Sequence, residues 1–224
     1  MPKDPLHAAE GIVMPHRKIS IAVGLLFLSS TLTFLIGSSL VEEYFSRTPQ
    51  EGSLLEGVLL EGYTGLAVAS IGVLLRPVLA PHGRRLSTGY LVLRAAECVA
   101  IISAGVYFMT GRESFESYDL PIYVLSGAGG LVLSYLLMTS GLVARWLSSL
   151  GLVGYAALLV GVAGDLLGII DLNSGAGMAF YVPGGLFELV LPLLLIFKGF
   201  SNPASPGSLH RGTRAGSEPE GIRG

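Results

Sequence analysis

Long apolar stretches separated by short polar segments are the dominant pattern of this 224-residue chain. Six of the stretches are long enough to cross about 30 Å of hydrocarbon as helices that rise about 1.5 Å per residue. They cover residues 19–40, 54–75, 87–108, 121–142, 150–170 and 179–198. The pattern therefore predicts an all-α integral membrane protein, folded as a six-transmembrane helical bundle.

The flanking segments complete the predicted domain organisation. Residues 1–17 form a predicted cytoplasmic N-terminal segment, residues 18–199 the transmembrane domain, and residues 200–224 a cytoplasmic tail. This tail is rich in glycine, proline and serine, so we expect it to be disordered. The first apolar stretch follows Arg17 and Lys18, as a signal peptide would. It is too long for a signal peptide and lacks a small-residue cleavage site, so we interpret it as a retained membrane anchor.

The basic residues predict the orientation of the bundle, because lysine and arginine resist translocation. Eleven of them fall on one predicted side of the membrane: Lys3, Arg17, Lys18, Arg76, Arg84, Arg85, Arg145, Lys198, Arg211, Arg214 and Arg223. The opposite loops contain only Arg47 and Arg112 among several acidic residues. Both termini are therefore predicted to be cytoplasmic, with an even number of spans.

Composition supports a lipid environment and excludes several functions. Hydrophobic residues make up 51% of the chain and charged residues 13%, and the mean hydropathy is +0.65. The net charge of −2 gives no basic surface for nucleic acid. The single cysteine, Cys98, excludes an internal disulfide and a multi-cysteine metal site. All four histidines lie outside the predicted helices, so we predict neither a metal site nor a cofactor.

Apart from Glu56 and Lys198 near helix ends, five charged residues lie within the predicted helices: Glu61, Arg94, Glu97, Asp165 and Glu188. Each would cost about 2.5 to 3.5 kcal/mol if it faced lipid near the bilayer centre, so we expect them to face each other or water. Counting from the helix ends places Glu97 and Glu188 near mid-depth. The sequence thus predicts a buried polar cluster formed by converging helices.

Arg94 and Glu97 share one helix face because they are three residues apart, and Tyr90 extends that face by a further turn. If Arg94 pairs with one carboxylate, the other acids remain in excess. Desolvation and repulsion between like charges should then leave a protonated carboxyl or a bound cation. The candidate catalytic residues are Glu188, Glu97 and Glu61. The predicted substrate- or ion-binding residues are Arg94, Glu97, Glu61, Glu188, Asp165 and Tyr90.

Four segments resemble the prokaryotic membrane family called domain of unknown function 4386. They are "GLLFLSSTLTFLIGSSL", "LRPVLAPHGRRLSTGYLVLRAAECV", "YLLMTSGLVARWLSSLGLVG" and "GGLFELVLPLLLIFKGF". The resemblance covers about residues 18 to 200, and its motif positions are Arg94, Glu97, Phe187 and Glu188. It implies a small polytopic inner-membrane protein and brings no substrate or cofactor.

Three functional classes are compatible with these residues. The cluster could bind or translocate a small solute or lipophilic cation with proton coupling, which requires access to water. It could instead be a membrane-embedded acid–base enzyme acting on an isoprenoid or lipid. As a third class, the Arg/Glu pairs could hold helices in register in a structural membrane subunit. Whether the protein is an enzyme is left open, and glycine-rich helix faces allow a homo-oligomer in the bilayer.

Overall fold

The computed structural model describes residues 16–46, 51–111 and 118–201. These form five long helices: α1 (His16–Ser46), α2 (Glu51–Gly111), α3 (Leu120–Ser140), α4 (Arg145–Leu166) and α5 (Val182–Phe197). A short 3₁₀ helix (Gly175–Tyr181) leads directly into α5. Five helical segments have the length and apolar composition needed to cross a membrane: four lie in α1, α2, α3 and α4, and the fifth, Gly175–Phe197, combines the 3₁₀ helix with α5. The predicted all-α membrane architecture is therefore confirmed, while the count of six spans stays a prediction.

The 61-residue helix α2 is folded back on itself. Its backbone is not helical at Gly83, where φ is 171° and ψ is 84°. A Cβ placed on Gly65 would lie 3.4 Å from Cα of Cys98, and one on Gly105 would lie 2.9 Å from Cγ1 of Val58. Among these contacting positions, the residue number falls on one side of Gly83 as it rises on the other. Residues 51–82 and 84–111 are thus two antiparallel arms, called here the first and second arm of α2.

The prediction of a loop at residues 76–86 is wrong for most of this stretch, because helical structure continues up to Gly83 and resumes after it. Pro77 and Pro81 lie inside the helix, where proline normally disfavours helical structure. Val78 and Leu79 are buried, and their packing offsets that cost. The change of direction is therefore concentrated near Gly83.

Each helix packs against the next along the chain, and α5 packs against α1, so the helices close a ring. One end of this ring collects the basic residues. There the backbone N–H of Ser201 donates to the carbonyl of Leu142 at 2.8 Å, and the Gly83 turn lies beside Leu136 of α3. We call this end the basic end, and its basic residues are Arg17, Lys18, Arg76, Arg84, Arg85, Arg145 and Lys198. The opposite end is called the loop end.

The fifth predicted helix, residues 150–170, differs from α4 at both ends. It starts earlier, at Arg145, and stops at Leu166 because Gly168 adopts a left-handed conformation with φ of 67°. The N–H of Gly168 donates to the carbonyl of Asp165 at 2.8 Å, which completes the helix end. Predicted helical structure at residues 167–170 is therefore wrong. The predicted N-terminal segment up to residue 15 and the tail from residue 202 lie outside the described residues.

Arg17 joins the two ends of the chain at the basic end. Its guanidinium donates to the carbonyls of Leu195, Ile196 and Phe197 at 3.3, 2.7 and 3.2 Å. The carbonyls in the last turn of a helix receive no hydrogen bond from a backbone N–H of that helix. A side-chain donor such as Arg17 can satisfy them. The contact fixes the start of α1 against the end of α5.

We expect a disulfide between Cys98 and a cysteine introduced by Gly65→Cys, because a Cβ at position 65 lies 3.5 Å from Sγ of Cys98. Oxidation of the membrane-embedded protein followed by peptide mass spectrometry would detect it. Gly62→Cys is the matched control, since a Cβ at position 62 meets no atom within 4 Å. Equal cross-linking of both variants, or of neither, would contradict the antiparallel arms of α2.

We also expect Arg17→Ala to lower the free energy of unfolding by about 1 kcal/mol, the usual net value of such hydrogen bonds. Thermal unfolding in detergent would measure the loss. Lys18→Ala removes a neighbouring exposed charge and serves as the control. Equal stability of the two variants would mean that the charge, rather than the contact with α5, sets the effect.

Candidate functional site

The ring of helices borders an open cavity of about 590 Å³. Its lining residues come from the half of the bundle nearest the loop end. On α1 they run from Phe27 to Glu42, and on α5 from Gly184 to Leu189. Toward the basic end the space between the helices is filled by buried apolar side chains, which include Val23, Leu133, Leu137, Leu191 and Leu195. The cavity therefore has a floor near mid-depth and walls that reach the loop end.

Arg94 and Glu97 lie at this floor, on the second arm of α2. The guanidinium Nη1 donates to Oε2 of Glu97 at 2.6 Å, and Nε donates to the hydroxyl of Tyr90 at 3.2 Å. The guanidinium carbon also lies 5.2 Å from the centre of the Tyr90 ring. Arg94 and Glu97 are only 3% and 4% exposed, so their charges face each other rather than lipid.

A glycine of α3 gives Arg94 its space. A Cβ on Gly129 would lie 3.5 Å from Nε of Arg94, so the guanidinium packs directly on the α3 backbone. The ring of Tyr155 packs directly on the neighbouring Gly130, and any side chain at that position would displace the ring. The "SGAGG" segment of α3 thus accommodates two of the polar side chains of the floor.

Glu188 faces the same cavity from α5. Its Oε1 accepts a hydrogen bond from the hydroxyl of Tyr155 at 2.9 Å, and Thr31 of α1 provides a second hydroxyl contact. Tyr155 is held in turn by the edge of Phe187, with ring centres 5.7 Å apart. Within the described residues Glu188 forms no ion pair, whereas Glu97 is paired with Arg94. The two carboxylates of the floor therefore have different partners.

Glu61 does not line this cavity. It is fully buried on the first arm of α2, beside Gly37 of α1. Its Oε1 accepts a hydrogen bond from the hydroxyl of Tyr118 at 3.1 Å, and its Oε2 has no hydrogen-bond partner among the described residues. We expected Glu61 to share one pocket with Arg94, Glu97 and Glu188, but the structure places it outside the cavity that those three residues line. A difference in depth along α2 separates it from Glu97.

Two other predicted site residues have supporting positions. Asp165 lies near the end of α4, where Oδ2 accepts the backbone N–H of Leu172 at 2.7 Å, and it does not line the cavity. Tyr90 is fully buried behind Arg94 and reaches the site only through that side chain. The structure thus brings Arg94, Glu97, Glu188 and Tyr90 together and leaves Glu61 and Asp165 apart.

Sequence reasoning missed the tyrosines of the site, above all Tyr155. An uncharged aromatic residue in a glycine-rich apolar helix is typical of core packing, and its spacing carries no signal for a partner on α5. Tyr123 and Tyr181, which line the loop end of the cavity, were missed for the same reason. A search for buried phenols opposite midplane carboxylates would have selected Tyr155.

The loop before α5 contributes Asn173 to the cavity wall. Its neighbour Asp171 accepts the hydroxyl of Ser174 at 2.7 Å and the N–H of Asn173 at 2.8 Å. These two hydrogen bonds hold the pKa of Asp171 below its ordinary value. Within residues 16–46, 51–111 and 118–201, no three His, Cys, Asp or Glu side chains are grouped to hold a metal ion.

Comparison with protein families confirms the predicted resemblance for the C-terminal part of the chain. Residues 112–199 match the family described as "Domain of unknown function (DUF4386)". The matched region contains Tyr155, Phe187 and Glu188, whereas Arg94 and Glu97 precede it. No curated protein and no solved structure matches the chain. The family supplies no activity, so the function has to be argued from the cavity.

A double-mutant cycle tests the Arg94–Glu97 pair. We expect Arg94→Met to destabilise the protein by about 3 kcal/mol, because it leaves the Glu97 carboxylate buried without its cation. Adding Glu97→Gln should restore much of that loss, since the uncompensated charge is then removed. Unfolding of the single and double variants in one detergent would give the coupling energy. Strictly additive effects would contradict a direct ion pair.

Proposed function

We propose that this protein is a six-span membrane protein that binds a small solute in the central cavity and exchanges a proton with it at Glu188. The observation that carries the proposal is the contrast between the two carboxylates of the floor. Arg94 forms an ion pair with Glu97, whereas Glu188 forms no ion pair among the described residues and its carboxylate accepts the Tyr155 hydroxyl. A cavity-facing carboxylate without an ion-pair partner is suited to take up either a proton or a positively charged group of a ligand.

The proposed topology has both termini in the cytoplasm and counts each arm of α2 as one span. Two features support it. The arms are antiparallel and each is long enough to cross the hydrocarbon core. The basic residues gather at one end of the bundle, which we assign to the cytoplasm because lysine and arginine resist translocation. The cavity then approaches the outer face of the inner membrane.

Proton coupling follows from the shape of the cavity and the position of Glu188. A solute entering from the loop end meets this carboxyl at the deepest point, and apolar packing lies beyond it. Release of the proton would leave a negative charge to hold the solute, and its return would weaken that hold. Translocation further requires separation of the apolar side chains near the basic end. Such rearrangement is the usual alternation of access around a midplane site.

One observation favours a second candidate, a membrane-embedded acid–base enzyme. The Tyr155 hydroxyl lies 2.9 Å from the Glu188 carboxylate, beside the guanidinium of Arg94, and this set could donate and accept protons on a lipid or isoprenoid. A pocket closed at one end is sufficient for catalysis. Net flux of a solute across sealed proteoliposomes would favour transport. Chemical conversion of a supplied isoprenoid without flux would favour the enzyme.

Infrared spectroscopy tests the proton at Glu188. We expect the protein in lipid nanodiscs to show a protonated-carboxyl band at neutral pH, which Glu188→Gln removes. Glu56→Gln is the matched control, because Glu56 is an exposed carboxylate of the first arm of α2 and should leave the band unchanged. A band that persists in Glu188→Gln would assign the proton to another acid, and absence of the band from the parent protein would overturn the proposal.

A further inference from the structure

The loop-end half of the cavity has aromatic walls. Six aromatic side chains line the cavity as a whole: Phe27, Phe34, Tyr123, Tyr155, Phe180 and Tyr181. Three of them form a connected group near the loop end. The rings of Phe34 and Tyr123 meet edge to face with centres 6.2 Å apart, and those of Tyr123 and Tyr181 meet likewise at 5.3 Å. Rings set at such angles form the corner of a box, and a ligand in the corner contacts more than one ring.

The electrostatics of the cavity favour a cation. Its charged lining residues are Glu42, Glu97, Glu188 and Arg94, which give an excess of negative charge when all four are ionised. Arg94 is already engaged by Glu97 and Tyr90. Behind the aromatic group, the carboxylate of Asp119 lies close to the Tyr123 phenol and also accepts the side-chain amide of Asn173 at 3.3 Å. A carboxylate at a phenol hydroxyl enriches its ring in electrons and strengthens attraction to a cation.

Four hydroxyl groups of the wall donate their hydrogen bonds to other protein atoms. The hydroxyl of Ser30 donates to the carbonyl of Phe27 at 2.9 Å, and that of Thr64 donates to the carbonyl of Leu60 at 3.1 Å. Tyr155 donates to Glu188, and Tyr181 donates to the side-chain carbonyl of Asn173 at 3.4 Å. These wall residues thus offer acceptor oxygens and ring faces in place of donors. An anion requires donors, whereas an alkylated ammonium group requires none and is stabilised by ring faces and carboxylates.

We propose that the ligand of this cavity is an alkylammonium ion, whose positive centre is enclosed by Phe34, Tyr123 and Tyr181 with Glu188 as its countercharge. The inference rests on the proposed function and adds the chemical class of the solute. The volume of about 590 Å³ is compatible with this class, since it lies within the usual range of small-molecule pockets. Alkyl substituents of the ion would contact the apolar lining, which includes Val68, Ile71 and Leu158.

Three probes of the same shape test the charge requirement. Choline carries a quaternary ammonium group. Its neutral isostere has a quaternary carbon in place of the nitrogen, and an anionic relative carries a carboxylate in place of the hydroxymethyl group of that isostere. Isothermal titration of the full-length protein in nanodiscs would compare them. We expect choline to bind at least about tenfold more tightly than the neutral compound, because cation–π attraction is lost with the charge, and the anion not to bind.

Two substitutions of Tyr181 distinguish the contribution of its ring from that of its hydroxyl group. Tyr181→Phe keeps the ring and should retain choline binding, whereas Tyr181→Leu should weaken it about tenfold. Equal weakening by both variants would mean that the hydroxyl contact with Asn173, and not the ring face, sets the affinity. That result would overturn the aromatic site.

The outcomes distinguish this inference from the proposed function. Equal binding of choline and its neutral isostere, or failure of choline to bind, would overturn the alkylammonium ligand. The proposed proton at Glu188 would still stand if Glu188→Gln removes the infrared band. In the converse result, Glu188→Gln leaves the infrared pattern of the parent protein unchanged while choline still binds more tightly than its neutral isostere. That combination would overturn the proton exchange and retain the aromatic cation site.

Discussion

The whole arrangement depends on the burial of the Arg94 guanidinium between helices. Arg94 is stabilised by Glu97, by the Tyr90 hydroxyl and by close packing on the backbone of α3 at Gly129. Each contact removes part of the cost of a charge in a membrane interior. Among the described residues the ion pair of Arg94 is with Glu97 and not with Glu188. The cavity is consequently left with a carboxylate whose own partners are Tyr155 and Thr31.

Much of the fold follows from the sequence because membrane helices have a strict length requirement. The apolar stretches predict the helices, and the spacing of Arg94 and Glu97 predicts their contact, since it is local to one helix face. The encounter of Glu188 with Tyr155 depends on how α4 and α5 rotate against each other. That rotation is set by small residues, and a Cβ on Gly154 would meet the Gly184 backbone N at 2.5 Å. Such fits leave little trace in a hydrophobicity pattern.

Glu61 shows that membership of a buried cluster cannot be predicted from burial alone. Tyr118, just before α3, donates to it at the side of α1, away from the cavity. A buried acid can be held by a single phenol or by a shared cluster, and the sequence does not distinguish the two arrangements. Of the six predicted site residues, Arg94, Glu97 and Glu188 form the cavity floor, with Tyr90 behind it. The other two, Glu61 and Asp165, lie outside the cavity.

The central claim is that one carboxyl, at Glu188, holds either a proton or a cationic ligand. Calorimetric titration of choline in buffers of different ionisation enthalpy measures protons released on binding. The account predicts that the apparent binding enthalpy changes with the buffer for the parent protein and becomes independent of the buffer for Glu188→Gln. Binding of choline to the parent protein with the same enthalpy in every buffer would contradict it.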